Sequence, residues 1–375
     1  MALLAKLGGG ISALVVFTYV LSMAFVVLLL TLTSIGQDMA SNQARIILGV
    51  LLIIIPTPFE VNVLASFLVL FGIFGVSLLV AAKTKGGLTK NMRQLFSNSL
   101  QRKLPNWLLV MPLASSALLI VVLAVTIVQD LLGVPTGSIP LPCDTSNPLE
   151  GCIAPFKFLY LLAYAPPVEE TMFRISTLGL LVALRTTWSR QSSFNGSRSV
   201  EGLTISRARL AILSFLFPEY AKRRAGLSTF EVKGWKSIHW TEWLILMVTS
   251  AGFGVAHYVT NVGWEAGKVL TAGLAGVVLG LAYLLYGAYA SILMHWFFNV
   301  YLGTFSLSSL LMGGFFISVE EIVGLLVFVA GVVGLALGLR WFRSTLTHGG
   351  ETTYTVQGGL PVVSGEGALY HRQVD

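Results

Sequence analysis

Eight stretches of this 375-residue chain are apolar and long enough to cross a bilayer, near residues 11–34, 59–82, 107–131, 155–187, 240–261, 267–286, 288–310 and 320–342. Each approaches the roughly 20 residues that a helix needs to span the hydrocarbon layer. With no water to bond a bare amide there, the backbone must satisfy itself, which a helix does. The chain therefore reads as all-α, a polytopic membrane helical bundle of about eight transmembrane helices. Only 11% of its residues are charged and 55% are hydrophobic, against about 25% charged in a typical soluble domain. That composition excludes one large soluble core. The stretch 45–55 is apolar but short and ends at Pro56-Thr57-Pro58. It reads as a re-entrant or interfacial piece, or as a kinked extension of the second span.

The formal net charge of +7 points to lipid and not to nucleic acid, because the basic residues gather in two loops between spans. Residues 83–103 carry six Lys and Arg and no acid, and residues 185–236 carry ten against three. Such loops face the cytoplasm and meet anionic headgroups. Loops 83–106 and 188–236 and both termini are therefore expected inside, in a multi-pass protein of the plasma membrane. The apolar run from residue 11 is too long for a signal peptide and reads as a retained helix. Within the second loop, Leu203–Phe217 partly segregates apolar from basic residues and reads as a segment on the inner membrane surface. Cys143 and Cys152 share one short loop on the opposite side, without metal or redox spacing. Either they close that loop as a disulfide or they are two unpaired small residues. Ala272, Gly276 and Gly280 recur four apart and read as a face for close helix packing. The chain divides into 1–106 (first spans and basic loop), 107–342 (core, with the insertion 188–236) and a polar tail, 343–375, expected to be disordered.

A few polar residues lie inside the apolar spans, where an acid costs about 2.5–3.5 kcal/mol. Glu169, Glu170 and Arg174 follow Pro166-Pro167, which should break the helix and leave the acids in the first turn of the next segment. Glu170 and Arg174 are spaced for an intrahelical ion pair. His257 lies on the fifth span, and His295 and Asn299 lie one turn apart on the seventh. One inward-facing polar site accounts for all of them at once. A carboxylate with an imidazole can act as general base on water, and a second His with an Asn can serve an oxyanion. Glu169, His257 and His295 could equally be ligands of a divalent metal such as zinc. A proton or ion relay of a transporter would use the same residue types.

Glu169-Glu170-xxx-Arg174, Phe253-xxx-His257 and His295-xxx-Asn299 resemble, in order, the three motifs of the CPBP family, the CAAX-protease and bacteriocin-processing intramembrane proteases that include the type II CAAX prenyl endopeptidases. The resemblance covers roughly residues 155–310. It implies an eight-span bundle and hydrolysis of a lipid-modified or membrane-embedded peptide, such as a prenylated protein, with no cofactor. Glu169 would activate water with His257, Glu170 and Arg174 would support it, and His295 with Asn299 would form the oxyanion site. A non-catalytic immunity or scaffold role exists in the same family. By residue counting His257 and His295 lie at different depths, and a broken fifth helix or a dip of Asn261–Lys268 would bring them together.

Overall fold

The computed structural model describes residues 2–96, 105–138, 140–143, 152–194, 206–260, 263–347, 354–357 and 360–363. By chain contacts it divides into two units, 1–335 and 336–375. The architecture is helical with almost no sheet. Six helices are long and apolar enough to cross a membrane: α1 (Ala2–Leu32), α3 (Val63–Lys83), α5 (Trp107–Leu131), α11 (Trp240–Val259), α12 (Gly267–Tyr286) and α15 (Phe315–Thr347). The two remaining expected spans are each divided by a π-helical turn. One runs through α6 (Pro155–Glu170), a π turn at Thr171–Ile175, and α7 (Thr177–Phe194). The other runs through α13 (Ala288–Trp296), a π turn at Phe297–Tyr301, and α14 (Leu302–Met312). The chain is a multi-pass membrane protein, and large side chains such as Phe17, Leu79, Ile127 and Phe328 point outward from its helices, as a lipid solvent requires.

Local chemistry sets the helix ends. The Asn62 and Asn106 side chains accept the amides of Ala65 (3.1 Å) and Leu108 (3.0 Å), the usual satisfaction of orphan N–H groups. Buried Asn106 also donates to Ala81 O and Thr84 O, tying the end of α3 to the start of α5. Gly287, at φ +116, makes the tight joint between α12 and α13; a Cβ there would sit 2.4 Å from Leu216 O. Inside, Tyr19 donates to Leu293 O (2.6 Å), Phe74 stacks on Trp296, and Tyr301 meets Thr18, so α1 and α3 clasp the segmented α13–α14 rod. Gly276 and Gly280 face Ser250 and Leu246 and let α12 lie directly against α11. Cys143 and Cys152 are joined in a disulfide, beside the backbone bonds between Cys143 and Ile153 and between Ile153 and Leu141.

Two expectations need correction. Residues 45–55 are not a kinked extension of the second helix but part of an antiparallel hairpin, β1 (Gln43–Val50) and β2 (Ile53–Asn62), turning at Leu51-Leu52 with positive φ at both. β-branched residues and two prolines suit strand and not helix. The hairpin backs the α6 region: Ile47 N–H donates to the Tyr164 hydroxyl, Tyr164 donates to Ile47 O, and Leu51 N–H donates to Ser176 Oγ. Second, Pro166-Pro167 do not break the helix. α6 continues through them, so Glu169 and Glu170 sit at its C-terminal end and the positive end of a helix dipole does not reach them. The irregularity comes one residue later, as the π turn. The insertion is packed onto the fold. Residues 207–216 form α8, whose Leu210 is buried against Ala221 and Ala225, and Tyr283 donates to Phe215 O. In the tail, residues 354–357 and 360–363 pair as β3 and β4; the rest beyond Thr347 lies outside the described residues.

A buried carboxylate pins the insertion to the bundle. α9 (Pro218–Arg224) delivers Lys222 to Glu242 Oε2 (2.6 Å), while Arg185 from α7 reaches Glu242 Oε1 (2.5 Å). Glu242 stands in the first turn of α11 and also accepts the His239 amide. Nearby, Glu219 accepts the Phe230 amide, and burial pushes its carboxyl above the ordinary range. Replacing Glu242 with Ala strands two cations, one of them fully covered, and should cost about 3–5 kcal/mol. Thermal unfolding in detergent would show a marked fall for Glu242→Ala, and a milder one for the double variant Glu242→Leu with Lys222→Met.

Candidate active site

The site is built around a carboxylate with no access to solvent. Glu170 is fully buried, and its Oε1 accepts Arg174 Nη1 at 3.0 Å and His295 Nδ1 at 2.9 Å. Arg174, equally buried, sends Nη2 to Gly276 O (3.2 Å) and lays its guanidinium 4.3 Å from the Phe253 ring centroid. A Cβ on Gly276 would stand 3.1 Å from Nη2, so the glycine that packs α11 on α12 also admits the arginine. An uncompensated charge in this interior would be very costly. The pair with Arg174 and the bond from His295 make ionised Glu170 tolerable.

Glu169 points another way and keeps a quarter of its side chain exposed. His295 Nε2 lies 3.5 Å from its Oε2, an atom with no hydrogen-bond partner among the described residues. The ring of His295 thus bridges the two glutamates. Because Glu170 is an acceptor, Nδ1 carries a proton toward it, and Nε2 is the ring nitrogen turned toward Glu169. His257 likewise carries a proton on Nδ1, since that atom meets the Phe253 carbonyl (2.8 Å), which can only accept. The Phe253 ring stands edge-on to both imidazoles, with centroids 4.6 Å from His257 and 5.8 Å from His295.

The structure therefore brings Glu169, Glu170, Arg174 and His295 into direct contact and sets His257 beside them across Phe253. It does not hydrogen-bond His257 to Glu169; the imidazole against Glu169 is His295. Nor does it bond Asn299 to His295. Asn299 lies within the π turn Phe297–Tyr301, one turn after His295. The two histidines meet without a broken fifth helix, because α11 runs unbroken to Val259. Among the described residues no three His, Cys, Asp or Glu side chains are grouped to hold a metal ion, so Glu169, His257 and His295 do not gather as a ligand set here.

Two groups near the site escape the motif-based reading. The Ser291 hydroxyl lies beside Glu170 on α13. Lys268, in the first turn of α12, places Nζ 3.6 Å from the Trp264 ring centroid, and its charge reaches Glu169 and His257. A lysine at the end of a span is ordinary in a membrane protein, so nothing in the sequence marks it. A separate cavity of about 550 Å³ opens where the α3–α4 turn (α4, Leu88–Phe96) meets the insertion, lined by Lys85, Phe217, Tyr220, Arg223, Tyr286 and Tyr289. None of the motif residues lines it.

Among known proteins, residues 152–301 match a family model described as type II CAAX prenyl endopeptidase, Rce1-like. No curated protein and no solved structure matches the chain. The matched segment starts at Cys152 and ends on the second π turn, and so takes in all three motifs, the first segmented helix and the second as far as its π turn. The family is one of membrane proteases, and it is the segment 152–301, less than half of the chain, that is similar to it.

Proposed function

We propose that the protein is an intramembrane endopeptidase that hydrolyses a lipid-modified or membrane-embedded peptide by a water activated between Glu169 and His295. The observation that carries this reading is the pairing of Glu169 Oε2, an acceptor without a hydrogen-bond partner, with His295 Nε2 at 3.5 Å. Two acceptors facing each other at that spacing can both take hydrogen bonds from one water. They polarise it as a general base and hold its oxygen toward a scissile carbonyl. The proton removed can pass through His295 Nε2 to the departing amine. Attack by water on the carbonyl breaks the C–N bond and yields a carboxylate and an amine, with no covalent enzyme intermediate.

Glu170 supports this without touching substrate. By accepting Nδ1–H it fixes the His295 ring and keeps Nε2 turned to Glu169, and Arg174 holds Glu170 in place. His257, anchored through Nδ1 to the Phe253 carbonyl, is the second imidazole beside the site, and in its protonated form it would donate from Nε2 to the tetrahedral oxygen. No step passes through a metal. The substrate segment enters as a prenylated or otherwise membrane-held chain, with the basic loops 83–106 and 188–236 against anionic headgroups on the cytoplasmic side.

Glu169→Gln keeps the size of the side chain and removes the base. Its kcat should fall about 10²–10⁴-fold with thermal stability unchanged, measured on a fluorogenic prenylated peptide in proteoliposomes; cleavage at the normal rate would sink the mechanism. Arg174→Met should instead lower both activity and melting temperature, because it strands Glu170 in the interior. Treatment with a strong chelator should leave the rate unchanged. A loss reversed by added zinc would replace the water-activation scheme with a metal-dependent one.

A further inference from the structure

Resting on the protease reading, we infer that Lys268 recognises the free C-terminal carboxylate of the peptide substrate and thereby sets which chain end is cut. Four other cations of the bundle meet an acid: Arg174 meets Glu170, Arg185 and Lys222 meet Glu242, and Lys85 meets Glu231. Lys268 is half-buried and has no carboxylate in ion-pair contact among the described residues; its ammonium instead rests on the Trp264 ring. A cation over an indole face keeps its outward side open for an anion. Glu265, one turn earlier, is exposed and makes no ion pair with it.

The position of this ammonium is constructed and not incidental. Trp264 is bridged to Gly137, and Ser138 N–H donates to Gly263 O (3.0 Å). Glu265 N–H and Gly267 N–H donate to Thr136 O and Pro135 O, and Gln129 donates to Gly267 O. Gly137 and Gly263 both have positive φ, and a Cβ on either would meet backbone oxygen at 2.3 Å, so the two loops close to a distance only glycine permits. This strap fixes Trp264 with its ring centroid 6.5 Å from that of His257 and leads directly into the turn carrying Lys268. The groups around the ammonium are then Glu169 from α6, His257 from α11 and Trp264 from the strap. An anion bound to Lys268 has its next bonds directed at the reacting centre. A peptide carboxylate fits that demand, since the chain it terminates must pass Glu169 and His295 to be cut.

The test uses the full chain in proteoliposomes and one S-farnesyl-cysteine peptide with three apolar residues after the cysteine, made as the free acid and as the C-terminal carboxamide. The wild-type protein is expected to cleave the acid with a kcat/KM about tenfold or more above the amide, as a charge-assisted contact provides, with the difference in KM. Lys268→Met should bring the acid down to the level of the amide measured on the same variant, and Lys268→Arg should keep the preference. A Met variant that retains the preference, or one that loses both substrates alike, overturns the inference. Wild-type cleavage of both forms at one rate refutes carboxylate recognition and leaves the protease reading standing. Cleavage of neither form removes both.

Discussion

Everything in this bundle is arranged around the need to keep one carboxylate, Glu170, ionised where no water reaches it. Four elements contribute. The π turn after α6 supplies Arg174, α12 supplies a carbonyl for that arginine's second nitrogen, α11 supplies the Phe253 ring for its face, and α13 supplies His295. A salt bridge of this kind adds little to net stability, because desolvation consumes most of the attraction. Its value lies in geometry. Glu170 Oε1 takes both Arg174 and His295, while Glu170 Oε2 and Arg174 Nε have no hydrogen-bond partner among the described residues, so the ring that faces the exposed glutamate is held through that one oxygen.

The two π turns follow from the same logic. A π turn widens the helix by one residue and frees local backbone bonds, at some cost in stability. Here one follows directly on Glu170 and the other starts two residues after His295, so the two helices that contribute the contacting pair are the two that lose regularity. The Thr171 and Ser176 hydroxyls donate to the carbonyls of Pro167 and Met172 one turn earlier, adding side-chain bonds at either end of the distorted winding. Irregular backbone is tolerated at membrane depth when it is enclosed by protein, and Met172, Phe173, Phe297 and Tyr301 are all buried.

The sequence carried the spans in their hydropathy, and the polar intruders within them identified the site. Glu169, Glu170, Arg174, His257 and His295 stand out because an apolar medium makes each of them expensive. The pairing among them was less legible. His295, and not His257, contacts Glu169, because which imidazole reaches a given carboxylate depends on helix rotation, which residue spacing does not specify across two spans. Lys268, Lys222 and Glu242 were invisible for a different reason. Charged residues at span ends are expected on grounds of lipid alone, so their burial shows only when the loops that cover them are in place. The hairpin at 43–62 was obscured because Val, Ile and Leu serve a buried strand and a short apolar helix equally well.

That hairpin bears on where the membrane ends. A two-stranded ribbon pairs half of its amides and carbonyls internally and turns the other half outward. On the inner edge Tyr164 serves both groups of Ile47, standing in for a neighbouring strand, and Ser176 serves Leu51. The outer edge has no such helper among the described residues, and Pro56 and Pro58 remove only two of its donors. Hydrocarbon would leave the remainder unbonded, so this flank of α6 lies at a level that water or headgroups reach. Beside Val168–Ser176 the fold thus presents a backbone edge that only water or headgroups can satisfy.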